Sequence, residues 1–194
     1  MTDEDRIRWD KTYTRQGPAS VNPGDPPVVF APYRDVFPAS GRALDLACGQ
    51  GLGAVWLARR GLDVWGLDVS LVAIGGARDL AHRAGVDDRC RFDVIDLDDG
   101  LPPGPPVDVI LCHKFRDRRL DRAIIDRLSV GAVLAVSALS EVGGSPGPFR
   151  AGPGELLAAF AGLAVIAAGE GDGEAWLVAR AGTRVTPGPG NTNT

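Results

Sequence analysis

Between Ala43 and Ser70 the chain reads as strand, glycine turn, helix, strand and acidic end, an order that few folds accept. The apolar run Ala43, Leu44, Leu46, Ala47 has the length of a buried strand. It stops at Gly49-Gln50-Gly51-Leu52-Gly53, where backbone freedom replaces side chains and a ligand can touch the main chain. Leu52, Val55, Trp56 and Arg59 then follow helical spacing, so amides at the helix start face the turn and favour a polar or anionic ligand group; Gly61 stops the helix. The next strand, Leu62 to Val69, carries Asp68 at its carboxyl end, where open parallel sheets bind ligands and a carboxylate can accept two ribose hydroxyls. A nucleoside-containing cofactor is the first expectation. The plainer alternative is a turn and a solvated acid that merely close a βαβ unit.

Gly49-x-Gly51-x-x-Ala54 also fits the dinucleotide fingerprint, so an NAD(P)-dependent oxidoreductase competes. Asp45 argues against it, because a carboxylate in the strand before the turn repels a pyrophosphate and welcomes a cation. S-adenosylmethionine carries a sulfonium and an ammonium group, and acids at two neighbouring strand ends address its two halves.

The run Leu44-Asp45-Leu46-Ala47-Cys48-Gly49-Gln50-Gly51 resembles the cofactor motif of class I S-adenosylmethionine-dependent methyltransferases, particularly the small tellurite-resistance-type subgroup. The resemblance covers roughly residues 5 to 181. It implies that Asp45, Ala47, Gly49 and Gly51 surround the methionine moiety, that Asp68 holds the ribose and that Val69 lies against the adenine. It further implies that Asp96 and Leu97 cap the adenine edge and that Cys112 borders the cofactor. Ala47 stands where glycine is commoner, a familiar variant in this subgroup. A non-catalytic S-adenosylmethionine-binding protein is the third reading.

The 194 residues suit one domain, 1–182, with an N-terminal helical cap over 1–37 and a disordered tail from 183 to 194. Hydrophobic content of 44%, charged content of 24% and a formal charge of -4 describe an ordinary globular chain without polycationic bias, so nucleic acid is not an expected partner. Arginine far outnumbers lysine, with only Lys11 and Lys114 present, which reads as codon bias. Cys48, Cys90 and Cys112 are odd in number and lack metal-like pairing, and the polar start is unlike a secretory signal; a cytoplasmic location is expected. No apolar stretch approaches the roughly 20 residues that span a bilayer, so no membrane partner is expected. A homodimer and a small-molecule acceptor complete the expected partners.

Alternation along the chain predicts a Rossmann-like, doubly wound α/β fold with a seven-stranded, mostly parallel sheet and a C-terminal antiparallel hairpin. Helices are expected over residues 3–15, 28–37, 73–83, 117–128 and 155–160. Further strands are expected over 90–95, 107–112, 132–139, 164–168 and 175–179, with Gly169 to Gly173 as the hairpin turn. Trp9 and Tyr13 are expected over the cofactor or the acceptor, Trp56, Trp65 and Trp176 in the core, and Gly143 to Pro148 as a loop over the site.

The acceptor is expected beside the carboxyl ends of the fourth and fifth strands. His113 there is the candidate general base for an acceptor hydroxyl, of a sugar or other polyhydroxylated metabolite, and His82 faces solvent. Glu141 is expected to orient His113 or to hold a divalent cation such as Mg2+. The basic run Lys114, Arg116, Arg118, Arg119, Arg122 is interrupted by Asp117 and Asp121 and reads as a salt-laced helix face.

Overall fold

The architecture is that of a computed structural model describing residues 3–19, 25–147 and 149–182. The predicted tail therefore lies outside the described residues. Five strands run parallel: β1 (Gly41–Leu46), β2 (Leu62–Asp68), β3 (Cys90–Val94), β4 (Val107–Cys112) and β5 (Leu128–Ser140). The two-residue β6 (Arg150–Ala151) pairs with the end of β5. The last strands, β7 (Ala164–Gly171) and β8 (Glu174–Arg180), form the expected antiparallel hairpin, and β8 pairs with β5. The order is β3-β2-β1-β4-β5-β8-β7, with β6 off the path. Chain direction across the sheet therefore reverses between β1 and β4, which opens a crevice at their carboxyl ends.

Helices cover both faces, which is why the central strands are apolar on both sides rather than alternating. On one face α2 (Leu52–Arg59), α3 (Leu71–Ala84) and a 3-10 helix (Val28–Val36) enclose Phe30, Phe37, Trp56, Leu57, Ile74 and Leu80. On the other, α4 (Asp121–Arg127) and α5 (Glu155–Ala159) contribute Ile124 and Leu156 beside Leu44, Leu134 and Phe160. The 14-residue α1 (Asp3–Gln16) packs against α3.

Several boundaries differ from the sequence reading. The hairpin turn is Asp172-Gly173 alone, because Gly169 and Gly171 pair with Trp176 and Glu174 inside β7. The helix expected from Asp117 begins as a 3-10 turn at Arg118 and becomes α4 at Asp121, with Asp117 accepting the Arg119 N–H. Trp65 is half-buried rather than in the core: its indole donates to Asp93, and the Arg91 guanidinium lies 4.4 Å from its ring centroid. The glycine-rich segment after β5 does not cover the crevice, since Val142 accepts the Gly173 N–H and Gly143 and Gly144 pack on the hairpin turn.

Arg116 carries the only buried cation among the described residues and joins three segments. Its guanidinium bonds both oxygens of Asp121, at 2.5 and 2.8 Å, and Glu155 at 2.7 Å; Arg118 also bonds Glu155. Burial disfavours ionised Glu155, yet hydrogen bonds from Arg118, Gly152 and Arg116 outweigh it and hold the carboxyl down at about 2. Arg116→Ala is expected to lower the unfolding free energy by about 2–3 kcal/mol, because it leaves Asp121 without its cation and Glu155 with only the exposed Arg118. Urea denaturation checks this. The contribution of Glu155 is present at neutral pH and is lost as pH falls below the ordinary carboxyl range towards about 2.

Candidate cofactor and acceptor site

The crevice between β1 and β4 holds a cavity of about 670 Å³, lined by Asp45, Asp68, the loop after β1, the start of α2, the residues after β4 and one side of α1. That volume is in the range of small-molecule sites, about 300–1,000 Å³. The loop is fixed by backbone bonds: Cys48 N–H donates to Leu67 and Gly51 N–H to Cys48, both at 2.9 Å. Gly51 has φ +79, and a Cβ there would lie 2.8 Å from that of Ala77. At Gly53 a Cβ would meet Leu111 at 2.5 Å and the Asp45 carboxylate at 3.1 Å. These two glycines thus serve helix packing as much as ligand approach. Ala47 has φ +51, the left-handed region that favours glycine, which accounts physically for glycine being the commoner residue there.

Asp45 and Asp68 are both buried, 3% and 5% exposed, and neither has a salt bridge among the described residues. Burial pushes the Asp45 carboxyl up to about 8, with the Ala54 N–H opposing and the Asp68 charge adding. Asp68 is likewise raised by burial, against N–H donors from Ser70 and Gly49. Its two oxygens accept those amides at 2.9 and 2.8 Å, which fixes the carboxylate at the strand end. Two carboxylates without a cation, one of them aimed at the glycine loop, ask for a ligand that brings positive charge and hydroxyl donors.

A third carboxylate, which sequence reasoning missed, docks the N-terminal helix. Asp10 on α1 accepts the Ser70 hydroxyl at 2.5 Å and the Val72 N–H at 3.4 Å, while Ser70 caps α3 by accepting the Ala73 N–H. Gln50 makes a second tie by donating to the Gly17 carbonyl at 2.8 Å. The helix so held brings Trp9 and Tyr13 to the cavity, their rings stacked 5.9 Å apart, as the sequence reading expected. The Tyr13 hydroxyl lies over Gly49, where a Cβ would come within 2.8 Å of it. Burial, and then the Asp68 charge, raise the Tyr13 phenol above its ordinary range, so it stays neutral.

Of the residues expected to hold the cofactor, Asp45, Ala47, Gly49, Asp68 and Val69 line the cavity, and Gly51 supports it from below. Asp96, Leu97 and Cys112 do not line it. Asp96 caps a 3-10 turn by accepting the Asp98 N–H, Leu97 is packed in the core, and Cys112 is a core residue whose thiol points at the Phe115 carbonyl. His113 lines the cavity with Lys114 and Phe115, its ring edge-on to Phe30. Glu141 is exposed and is not in the cavity lining, and the His113 ring bonds elsewhere. Ser137, one strand over on β5, holds that imidazole instead, with Oγ 2.8 Å from Nδ1. No group of three or more His, Cys, Asp or Glu that could hold a metal ion occurs among the described residues, so the Mg2+ expectation gains no support. His82 is exposed, as expected, and faces Asp87.

Comparison with known proteins shows what the chain is similar to. Residues 43–128 match the family described as a methyltransferase domain. A ribosomal RNA small subunit methyltransferase C of Alcanivorax borkumensis is 35% identical over 80 residues, 41% of this chain and 23% of that protein. Methyltransferase GfsG of Streptomyces halstedii is 42% identical over 59 residues, 30% of this chain and 21% of that protein. The matched stretch thus spans under a quarter of either curated relative. The crystal structure of TehB from Haemophilus influenzae superposes with a TM-score of 0.64 at 19% identity, over 73% of this chain and 58% of that one. Residues 43–128 are thus similar to the methyltransferase-domain family, and the chain has a class I methyltransferase-like fold, shared with TehB.

Proposed function

We propose that the protein transfers the methyl group of S-adenosylmethionine to an oxygen atom of a small-molecule acceptor in the cytoplasm. The observation that carries the reading is the pair of buried carboxylates, Asp45 and Asp68, facing a glycine loop without a cation of their own. Asp45 would hold the ammonium end of the cofactor and Asp68 the ribose hydroxyls, with Val69 against the adenine. The cofactor's chemistry is that its sulfonium makes the methyl carbon an electrophile. An NAD(P) pyrophosphate would meet Asp45 instead of a cation, which disfavours the oxidoreductase reading.

The small-molecule reading is supported by charge. The net charge is -4, Lys114 is the one Lys or Arg among the described residues of the cavity lining, and a nucleic-acid groove needs a broad basic surface. The acceptor would lie between His113, Lys114 and the apolar rim of Val28, Leu52 and Phe115. The chain's own contribution to rate is positioning and exclusion of water, with α1 as the roof.

Incubation with isotope-labelled methyl donor and a panel of hydroxylated and carboxylated small molecules is expected to label an acceptor oxygen, with Asp45→Asn losing about tenfold or more. Binding without labelling of any acceptor would instead favour a non-catalytic cofactor-binding protein. Cofactor binding is also expected to depend on pH. A cation favours ionised Asp45, whose free carboxyl sits at about 8, so binding near neutral pH releases a proton and strengthens as pH rises towards about 8. Calorimetry with S-adenosylhomocysteine in buffers of different ionisation enthalpy reads that proton, and Asp45→Asn is expected to remove the buffer dependence.

A further inference from the structure

The contact between Ser137 and His113 decides which way a proton points. Ser137 is completely buried on β5, and its Oγ has two hydrogen-bond neighbours among the described residues. One is the Lys114 backbone N–H at 3.1 Å, a donor, which occupies a lone pair of the hydroxyl. The other is His113 Nδ1 at 2.8 Å. The hydroxyl has one hydrogen, and Nδ1 is the acceptor within reach. If Nδ1 carried the imidazole proton, the Ser137 hydrogen would be buried without a partner, which costs the desolvation of that donor. The network therefore assigns the neutral imidazole with Nδ1 bare and Nε2 protonated.

With Nδ1 turned into the sheet, Nε2–H is the ring group left for the cavity that His113 lines. Burial and the Lys114 charge lower the imidazole's basicity, while Glu174 acts in the opposite sense. Lys114 itself has φ +57, a left-handed conformation costly for a side chain of this kind, held by its N–H to Ser137 Oγ and by Phe115 N–H to the Ser137 carbonyl at 3.3 Å. One serine thus fixes both the tautomer of His113 and the turn that carries Lys114 at the cavity.

We propose that His113 is a hydrogen-bond donor rather than a general base, and that with Lys114 it receives the acceptor as a delocalised oxyanion, a carboxylate. This rests on the methyl-transfer reading and replaces the neutral hydroxyl with an acceptor that arrives ionised. One carboxylate oxygen takes the Nε2–H and the ammonium, and the other is the nucleophile. That oxygen supplies the electron pair of the new O–C bond, the C–S bond breaks with its pair going to sulfur, and no proton leaves. The product is a methyl ester and the chain needs no base.

The tautomer is readable on the ligand-free full chain by long-range proton-nitrogen correlation of the imidazoles, with His82→Gln separating the two histidines. The expected result is His113 as the Nε2–H tautomer, with that preference lost in Ser137→Ala and kept in Ser137→Thr. A wild-type His113 protonated at Nδ1 overturns the proposal, whatever the variants do. Benzoate added to the same sample is expected to shift the Nε2–H resonance saturably, with Lys114→Met weakening it about tenfold. Benzyl alcohol shifting it equally, or benzoate leaving it unmoved, overturns the oxyanion. Failure of S-adenosylhomocysteine to bind a chain that meets both tests would count against the methyl-transfer reading and leave the donor role of His113 standing.

Discussion

Two carboxylates buried at the ends of adjacent strands, with backbone amides as their partners and no cation among the described residues, are what the rest of the site is arranged around. Asp45 and Asp68 can sit there because β1 and β2 are in register, Asp45 beside Gly66 and Leu46 beside Leu67, so that their ends reach the crevice together. The amides of Gly49 and Ser70 hold Asp68, and the first turn of α2 reaches Asp45 through Ala54. Such a pair is costly in a protein interior unless a ligand supplies the missing charge. The electrostatics thus point to a cation before any comparison is made.

The N-terminal helix turns that crevice into a chamber. Asp10 reaches the Ser70 hydroxyl, and Ser70 in turn donates its backbone N–H to Asp68, so the roof and the acid at the end of β2 share one hydrogen-bonded chain. Tyr13 is thereby set above Gly49, and Trp9 at the cavity wall. A polar latch of this kind can open at small cost relative to an apolar one, because its groups can exchange partners with water. After β4, Ser137 does a comparable service for His113 and Lys114. The cavity lining is therefore held by short polar chains anchored in the sheet.

The fold was legible because its signals are local. The run from Ala43 to Asp68 combines a buried strand, a glycine turn and a second strand at close spacing, and the hairpin strands read from Ala164 and Ala175 are present. The glycine loop that lines the cavity was legible for the same reason. Asp96, Leu97 and Cys112 were read by analogy of position; Asp96 caps a 3-10 turn and the other two pack in the core, outside the cavity lining. Glu141 was read as the partner of His113 because both end neighbouring strands. The sheet register puts Ser137 across from the residues after β4, and the chain turns away before Glu141. A register of a few residues cannot be read from strand ends alone. Asp10 reaches Ser70 and Arg116 reaches Glu155 across roughly 60 and 40 residues, and nothing local in the sequence announces such contacts.

The central claim is that this crevice binds the nucleoside and amino-acid halves of S-adenosylmethionine through its two buried acids. A crystal structure of the full chain with S-adenosylhomocysteine tests it most directly. The account predicts both ribose hydroxyls within hydrogen-bond distance of the Asp68 carboxylate and the ligand ammonium on the Asp45 side of the glycine loop. A ligand bound elsewhere on the chain, or seated in the crevice with its ribose away from Asp68, would contradict it.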